Sequence, residues 1–302
     1  MKKLVLIRTA ILGLLLLIAV VSNAQQEKVT AAYTFLQQND LDNAKANIDD
    51  AVVDPETAND AQAWYLRGFI YKTIYTKREK INNQSPARLE ALNSFKKSLS
   101  LDVEKEFFTD NIENIKNLIN TLHNDAASSL DPFDYKTAIK LFEKHQEYYK
   151  IVDPSPENIQ AKQIEFDIAL VSVYNSVIEN GKTDSLRAYK FLNLAKNIYS
   201  KILAIDPNNI MANYGMGILY YNQAVNLLKT QDWDLDIVNM DVVQSKAVIL
   251  FKESLPFMEK AYTLDPERVD AIQGMSGIYF GLNEPEKSNI YRLRLQEIKK
   301  PK

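Results

Sequence analysis

AIDPNNIMANYGMGILYY, residues Ala204–Tyr221, and TLDPERVDAIQGMSGIYF, residues Thr263–Phe280, are two versions of one pattern. Each opens on an aliphatic residue and Asp-Pro, crosses a polar spacer, and carries a pair of glycines into a run of aliphatic and aromatic residues. Proline disfavours the α conformation in the residue before it, so each Asp-Pro predicts the end of one helix and a restart soon after. The glycines then fall inside the restarted helix, where each costs about 1 kcal/mol relative to alanine. A cost written twice at a shared offset from the turn needs an offset in packing. The simplest is a neighbouring helix so close that a side chain would clash.

The same punctuation runs through the rest of the chain. Asp54-Pro55 and Asp153-Pro154 also follow apolar-periodic segments. Proline tolerates the first turn of the next helix, and the Asp is expected to cap that restart. Apolar residues recur at helical spacing in Ala44, Ile48, Ala51 and Val52, in Leu92, Phe95 and Leu99, and in Ile198, Ile202 and Ile205. These are one-sided stripes with polar backs. Four copies of a helix–Asp-Pro–helix junction predict repeats. Helix pairs are expected at about 27–54, 60–103, 107–154, 157–206, 208–265 and 267–299. Of eight glycines, Gly68, Gly215, Gly217, Gly274, Gly277 and Gly281 lie inside predicted helices. Gly68, Gly217 and Gly277 are expected to mark where the first helix of a repeat is crossed by its second. Pro256 falls inside a predicted second helix and predicts a kink.

The chain of 302 residues is 46% hydrophobic and 25% charged, which suits a packed protein rather than a disordered one. Its first residues predict a targeting segment. Lys2, Lys3 and Arg8 give a positive start, Ala10–Val21 is an unbroken apolar run, and Ser22-Asn23-Ala24 ends it with small residues. A secretory signal over 1–24, cleaved after Ala24, is the expectation. The alternative is an uncleaved N-terminus anchored in the inner membrane, with Leu4–Val21 tilted across it. The mature segment is then 25–302, with no stable membrane span, in the periplasm. Cysteine is absent, which excludes disulfides, thiol catalysis, thiolate metal sites and the lipid carrier of a bacterial lipoprotein. Loss of 1–24 leaves 33 basic residues against 39 acidic ones, a formal charge of −6. That balance excludes a nucleic-acid partner.

Trp64, Gly68 and Tyr71 stand at the spacing of the first-helix signature of the tetratricopeptide repeat, although Arg67 occupies the position where Leu is usual. Ala91, Phe95 and Ser98 match the second helix. Gly217 with Tyr220, Gly277 with Phe280, and Ala195, Tyr199, Ile202 and Pro207 match again. The mature chain therefore resembles an exported bacterial member of that family. Two departures are an insertion near 76–90, KREKINNQSPA included, and another over Thr230–Ser245. The resemblance implies an all-α, right-handed superhelical solenoid of about six antiparallel helix pairs, with irregular insertions and a solvating last helix over Glu286–Lys300.

A search for chemistry returns little. His123 and His145 have no metal-ligand spacing, so satisfied or surface histidines are the expectation. The glycine pairs lie inside helices rather than after a strand, so they are not a phosphate loop. Asp232, Asp234 and Asp236 alternate as in a calcium loop, but Ile237 and Val243 stand where such a loop needs Gly and Glu. They are a weak calcium candidate in a solvated acidic insertion; no cofactor is expected. The repeats leave no stretch for a catalytic domain, and the chain is expected not to be an enzyme. The resemblance implies a concave groove that binds a peptide or a partner protein of the cell envelope. In the family's register Tyr65, Phe69 and Lys72 face that groove, as do Tyr214, Ile218 and Tyr221. Equally, those aromatics are candidates for the core between repeats. A binding protein for a carbohydrate or another small ligand is the alternative function. Neither oligomeric state nor partner identity is encoded in any motif.

Overall fold

A computed structural model describes residues 27–179, 184–229 and 237–299. The predicted signal segment and the Asp232, Asp234, Asp236 cluster lie outside the described residues. All regular structure among the described residues is helical. The helices are α1 (27–37), α2 (Leu41–Val53), α3 (Ala61–Ile74), α4 (Pro86–Leu101), α5 (Phe108–Ser128) and α6 (Tyr135–Val152). They continue as α7 (Pro156–Glu179), α8 (Ser185–Ile205), α9 (Ile210–Lys229), α10 (Ile237–Leu264), α11 (Val269–Gly281) and α12 (Pro285–Ile298). A π-helical turn, Tyr75–Glu79, extends α3 into the insertion. Consecutive helices pack as hairpins, α3 on α4, α5 on α6, α9 on α10 and α11 on α12, in an all-α arrangement.

Local chemistry explains the ends. Asp40, Asp60, Ser85 and Asp184 each cap a helix by accepting from a backbone N–H two or three residues on: Asn43 at 3.2 Å, Gln62 at 2.9 Å, Arg88 at 3.0 Å and Arg187 at 2.8 Å. The four Asp-Pro aspartates do something else. Asp54, Asp153, Asp206 and Asp265 each follow the last helical residue and accept from the N–H two residues on, at 3.0, 3.1, 3.0 and 3.3 Å. The expectation that they cap the next helix is corrected. They close a turn with their own carboxylates, each folded onto an N–H that still precedes the restarted helix. After Asp153 and Asp206 the restart is capped by Ser155, through Asn158 N–H at 3.3 Å, and by Asn209, through Ala212 N–H at 3.0 Å.

The chain divides into two compact units, one through Gln160 and one from Ala161. In the first, Ile48, Ile70, Leu92, Phe95, Ile115 and Leu122 form the buried core. Arg88 is 1% exposed and ties the insertion to α5, donating to Asp125 at 2.5 Å, to Thr121 at 3.1 Å and to the Asn83 carbonyl. In the second, Tyr174 of α7 meets Phe191 of α8 with ring centroids 5.2 Å apart. Phe251, Met258, Ala261, Met275 and Ile278 fill the junction of α9, α10 and α11. α10 is continuous across Pro256, and on the turn before it Ser254 donates to the Gly217 carbonyl at 2.7 Å.

The mid-helix glycines are sites of close approach. A Cβ on Gly68 would stand 2.6 Å from the Phe95 ring of α4, and one on Gly217 would stand 3.2 Å from the Met258 backbone nitrogen of α10. Both are the crossing of a first helix by its own second. Gly277 departs from that expectation: its Cβ would meet the Tyr221 phenol at 2.6 Å, from the first helix of the preceding pair. The reason is that α11 packs on α9 as well as on α12, so its glycine makes room for an inter-repeat contact. Met258 serves both echoed stretches, since a Cβ on Gly274 would stand 2.7 Å from its terminal methyl.

Candidate functional site

Tyr65, Phe69 and Lys72 occupy successive turns of one α3 face. Tyr65 stacks on Phe107 at 5.1 Å between centroids, and its hydroxyl donates to Asp110 at 3.4 Å. Burial first, and then the Asp110 carboxylate, push its phenol up. Lys72 donates to Asn114 Oδ1 at 2.6 Å, with its ammonium 5.9 Å from the Phe69 ring. Between these two links from α3 to α5, Phe69 is 40% exposed. Two polar arms tied to α5 thus frame a partly exposed aromatic ring. The arrangement offers an apolar contact flanked by a cation and a phenol, with little side-chain freedom left to lose on binding.

Tyr214, Ile218 and Tyr221 are placed differently. All three are half-buried and pack on the α9–α10–α11 core. Arg268 lies 4.8 Å over the Tyr214 ring, and Tyr221 tilts against Phe251 at 5.7 Å while filling the space above Gly277. Burial raises the Tyr214 phenol, and nearby Asp270 adds to it. These side chains join helices, and only their edges meet solvent.

The departure at Arg67 has a structural answer. Its guanidinium donates to Asp49 at 2.8 Å, to Ser94 at 2.7 Å and to Glu90 at 2.9 Å, and lies 4.4 Å over the Tyr71 ring. Tyr71 also donates to Asp49, at 2.7 Å. Burial opposes ionisation of Asp49, but bonds from Tyr71 and Lys45 and the Arg67 charge outweigh it and hold the carboxyl below its usual range. One arginine therefore joins α2, α3 and α4, bracing the helix that presents Phe69.

Two further features were not visible as motifs. The His123 and His145 rings lie 5.4 Å apart between α5 and α6, with His145 2% exposed and stacked on Phe142 and Tyr149. The partners are 22 residues apart, a separation no helical spacing rule detects. The second unit also holds a cavity of about 560 Å³ among α7, α8, α9 and α10, to which Ile218 is the only predicted groove residue contributing. Among the described residues no group of three or more acidic, histidine or cysteine side chains is arranged to hold a metal ion, and no helix is long and apolar enough to cross a membrane.

No family profile matches the sequence, and no curated protein does. Among solved structures, the chain is similar to MamA, at 16% identity over 77% of this chain and 91% of that one, with a TM-score of 0.31. It is also similar to PilW, described as a widely conserved type IV pilus biogenesis factor, at 15% identity over 91% and 93%, TM-score 0.29. A tetratricopeptide repeat protein from Parabacteroides merdae ATCC 43184 is similar at 16% identity over 93% and 95%, TM-score 0.26.

Proposed function

We propose that the protein is an exported, non-enzymatic interaction scaffold that binds a peptide or partner protein of the cell envelope. The observation that carries this reading is the α3 face, where Phe69 is 40% exposed between the Tyr65–Asp110 and Lys72–Asn114 links. An aromatic side chain held open at the surface by its neighbours is a suitable anchor for a partner, because aromatics dominate binding energy where they are desolvated. Export is supported by the charged, apolar and small-residue sequence of 1–24, and the periplasm is the compartment proposed after cleavage.

Site-specific photo-cross-linking tests the scaffold reading. A photoreactive residue in place of Phe69 is expected to give one discrete protein adduct in intact cells, and the same residue in place of Val103, 86% exposed on the loop between α4 and α5, is expected to give none. Equal or absent labelling from both positions contradicts the reading. The mass of the native protein tests export: a chain beginning at Gln25 is expected, and retention of 1–24 supports the membrane-anchored alternative instead.

A further inference from the structure

The KREKINNQSPA insertion, where the chain departs from the repeat signature, builds a site of its own. Asn83, Gln84 and Ser85 close one side of a cavity of about 290 Å³, and Leu122 of α5 and one face of α6 close the other. None of the described lining residues belongs to α3, so this is not the face that carries Phe69. The insertion side is fixed. Arg88 donates to the Asn83 carbonyl, to Asp125 and to Thr121, and Asn83 Nδ2 donates to Ser129 at 3.4 Å. The cavity is therefore preformed, with little left for a ligand to order.

The charges that the cavity leaves open are one of each sign. Arg88 is matched by Asp125, and Lys144 by Glu147 at 2.9 Å. Lys140 and Glu143 also line the cavity, and neither side chain has an ion pair or hydrogen bond among the described residues. Their spacing is that of Lys144 and Glu147 and of Arg294 and Glu297, which do pair. Residues three apart on a helix have Cβ atoms about 5–6 Å from each other. An unmatched cation and an unmatched anion thus stand side by side on α6, next to an aliphatic wall of Leu89 and Leu141.

The volume is at the lower edge of the range for ligand clefts, which suits a molecule of few atoms rather than a nucleotide or a peptide segment. A simple carboxylate would match Lys140 but lie against Glu143, and a simple amine would match Glu143 but lie against Lys140. A free α-amino acid carries its ammonium and carboxylate on one carbon and leaves its side chain for the leucines. We propose that this cavity binds a free aliphatic α-amino acid of leucine's size, with its carboxylate on Lys140, its ammonium on Glu143 and its side chain against Leu89 and Leu141. The site goes beyond the scaffold reading and does not rest on it.

Isothermal titration calorimetry on the full chain tests the proposal with three probes: leucine, leucinamide, which lacks the carboxylate, and isocaproate, which lacks the ammonium. Saturable binding of leucine is expected, with either half-ligand at least tenfold weaker. Lys140→Met should weaken leucine at least tenfold and leave leucinamide unchanged. Glu143→Gln should weaken leucine likewise and leave isocaproate unchanged. Both side chains are exposed, so the thermal midpoint of each variant should match that of wild type. Lys260→Met, on α10 in the other unit, should bind leucine as wild type does. Absence of saturable binding by leucine, isoleucine and valine overturns the proposal. Isocaproate binding as tightly as leucine overturns the role of Glu143, and leucine binding that survives both α6 variants overturns the site. The Phe69 cross-link is unaffected by each of these outcomes.

Discussion

The junction of α2, α3 and α4 and the junction of α9, α10 and α11 solve one packing problem by opposite means. In the first, the residue before the close-approach glycine is Arg67, and its charge is matched by Asp49 and Glu90. In the second, the residue before Gly217 is Met216, 4% exposed, and the space between helices is filled by Met258, 0% exposed. Both keep a glycine where a ring or a methionine presses on the helix. The backbone approach is thus the shared requirement, and the chemistry around it is exchangeable. A flexible thioether adapts to two neighbouring glycines at once, whereas a guanidinium fixes three helices through directed bonds. The charged junction is the one that carries the proposed contact surface, and orientation of Phe69 is what directed bonds can secure.

The largest effect that separates the two junctions is expected at the methionine. Met258→Ala removes a fully buried side chain and should cost about 3 kcal/mol in chemical denaturation. A loss below about 1 kcal/mol would mean that the α9–α10–α11 junction collapses onto the gap. Arg67→Ala should cost about 2 kcal/mol, less than for a fully buried pair because Asp49 is 28% and Glu90 44% exposed in their side chains. Arg67→Leu should recover part of that loss by restoring apolar packing.

Acid sharpens the comparison further. The folded pKa of Asp49 is held below its ordinary value of 3.8. The stability it contributes is therefore complete above about pH 4 and lost as pH falls through the depressed value. The gap between wild type and Arg67→Ala should narrow at pH 3, while the gap between wild type and Met258→Ala should not. The smallest effect is expected at Phe69→Ala, about 1 kcal/mol, since the ring is 40% exposed and gives up only part of the burial of a core phenylalanine. Cross-linking to a partner from a neighbouring position should nonetheless fall.

Much of this fold was legible. The Asp-Pro turns, the apolar stripes and the glycines gave helices and their hairpins, because each is a local rule about one backbone segment. The role of the Asp-Pro carboxylates was misread for a physical reason: each carboxylate folds onto the N–H two residues on, which still precedes the restarted helix. Gly277 was assigned to the wrong neighbour because sequence shows that a helix is crowded without showing by what. The Arg67 network was visible only as a departure, since Asp49 and Glu90 stand 18 and 23 residues away and no pattern links them. Of the two predicted groove sets, spacing placed Tyr65, Phe69 and Lys72 on one face. It could not distinguish the exposed Phe69 from its half-buried counterpart Ile218, because both sets have the same helical register and differ only in what packs against them.

The central claim is that glycine stands mid-helix because a neighbouring side chain occupies the space of a Cβ. A double-mutant cycle between Gly68 and Phe95 tests it most directly. Gly68→Ala is expected to destabilise the wild type by about 1–3 kcal/mol, because the ring stands 2.6 Å from the new Cβ. In a Phe95→Ala background the ring is gone, and the same change should stabilise by about 1 kcal/mol through helix propensity alone. Equal stabilisation by Gly68→Ala in both backgrounds would contradict the account.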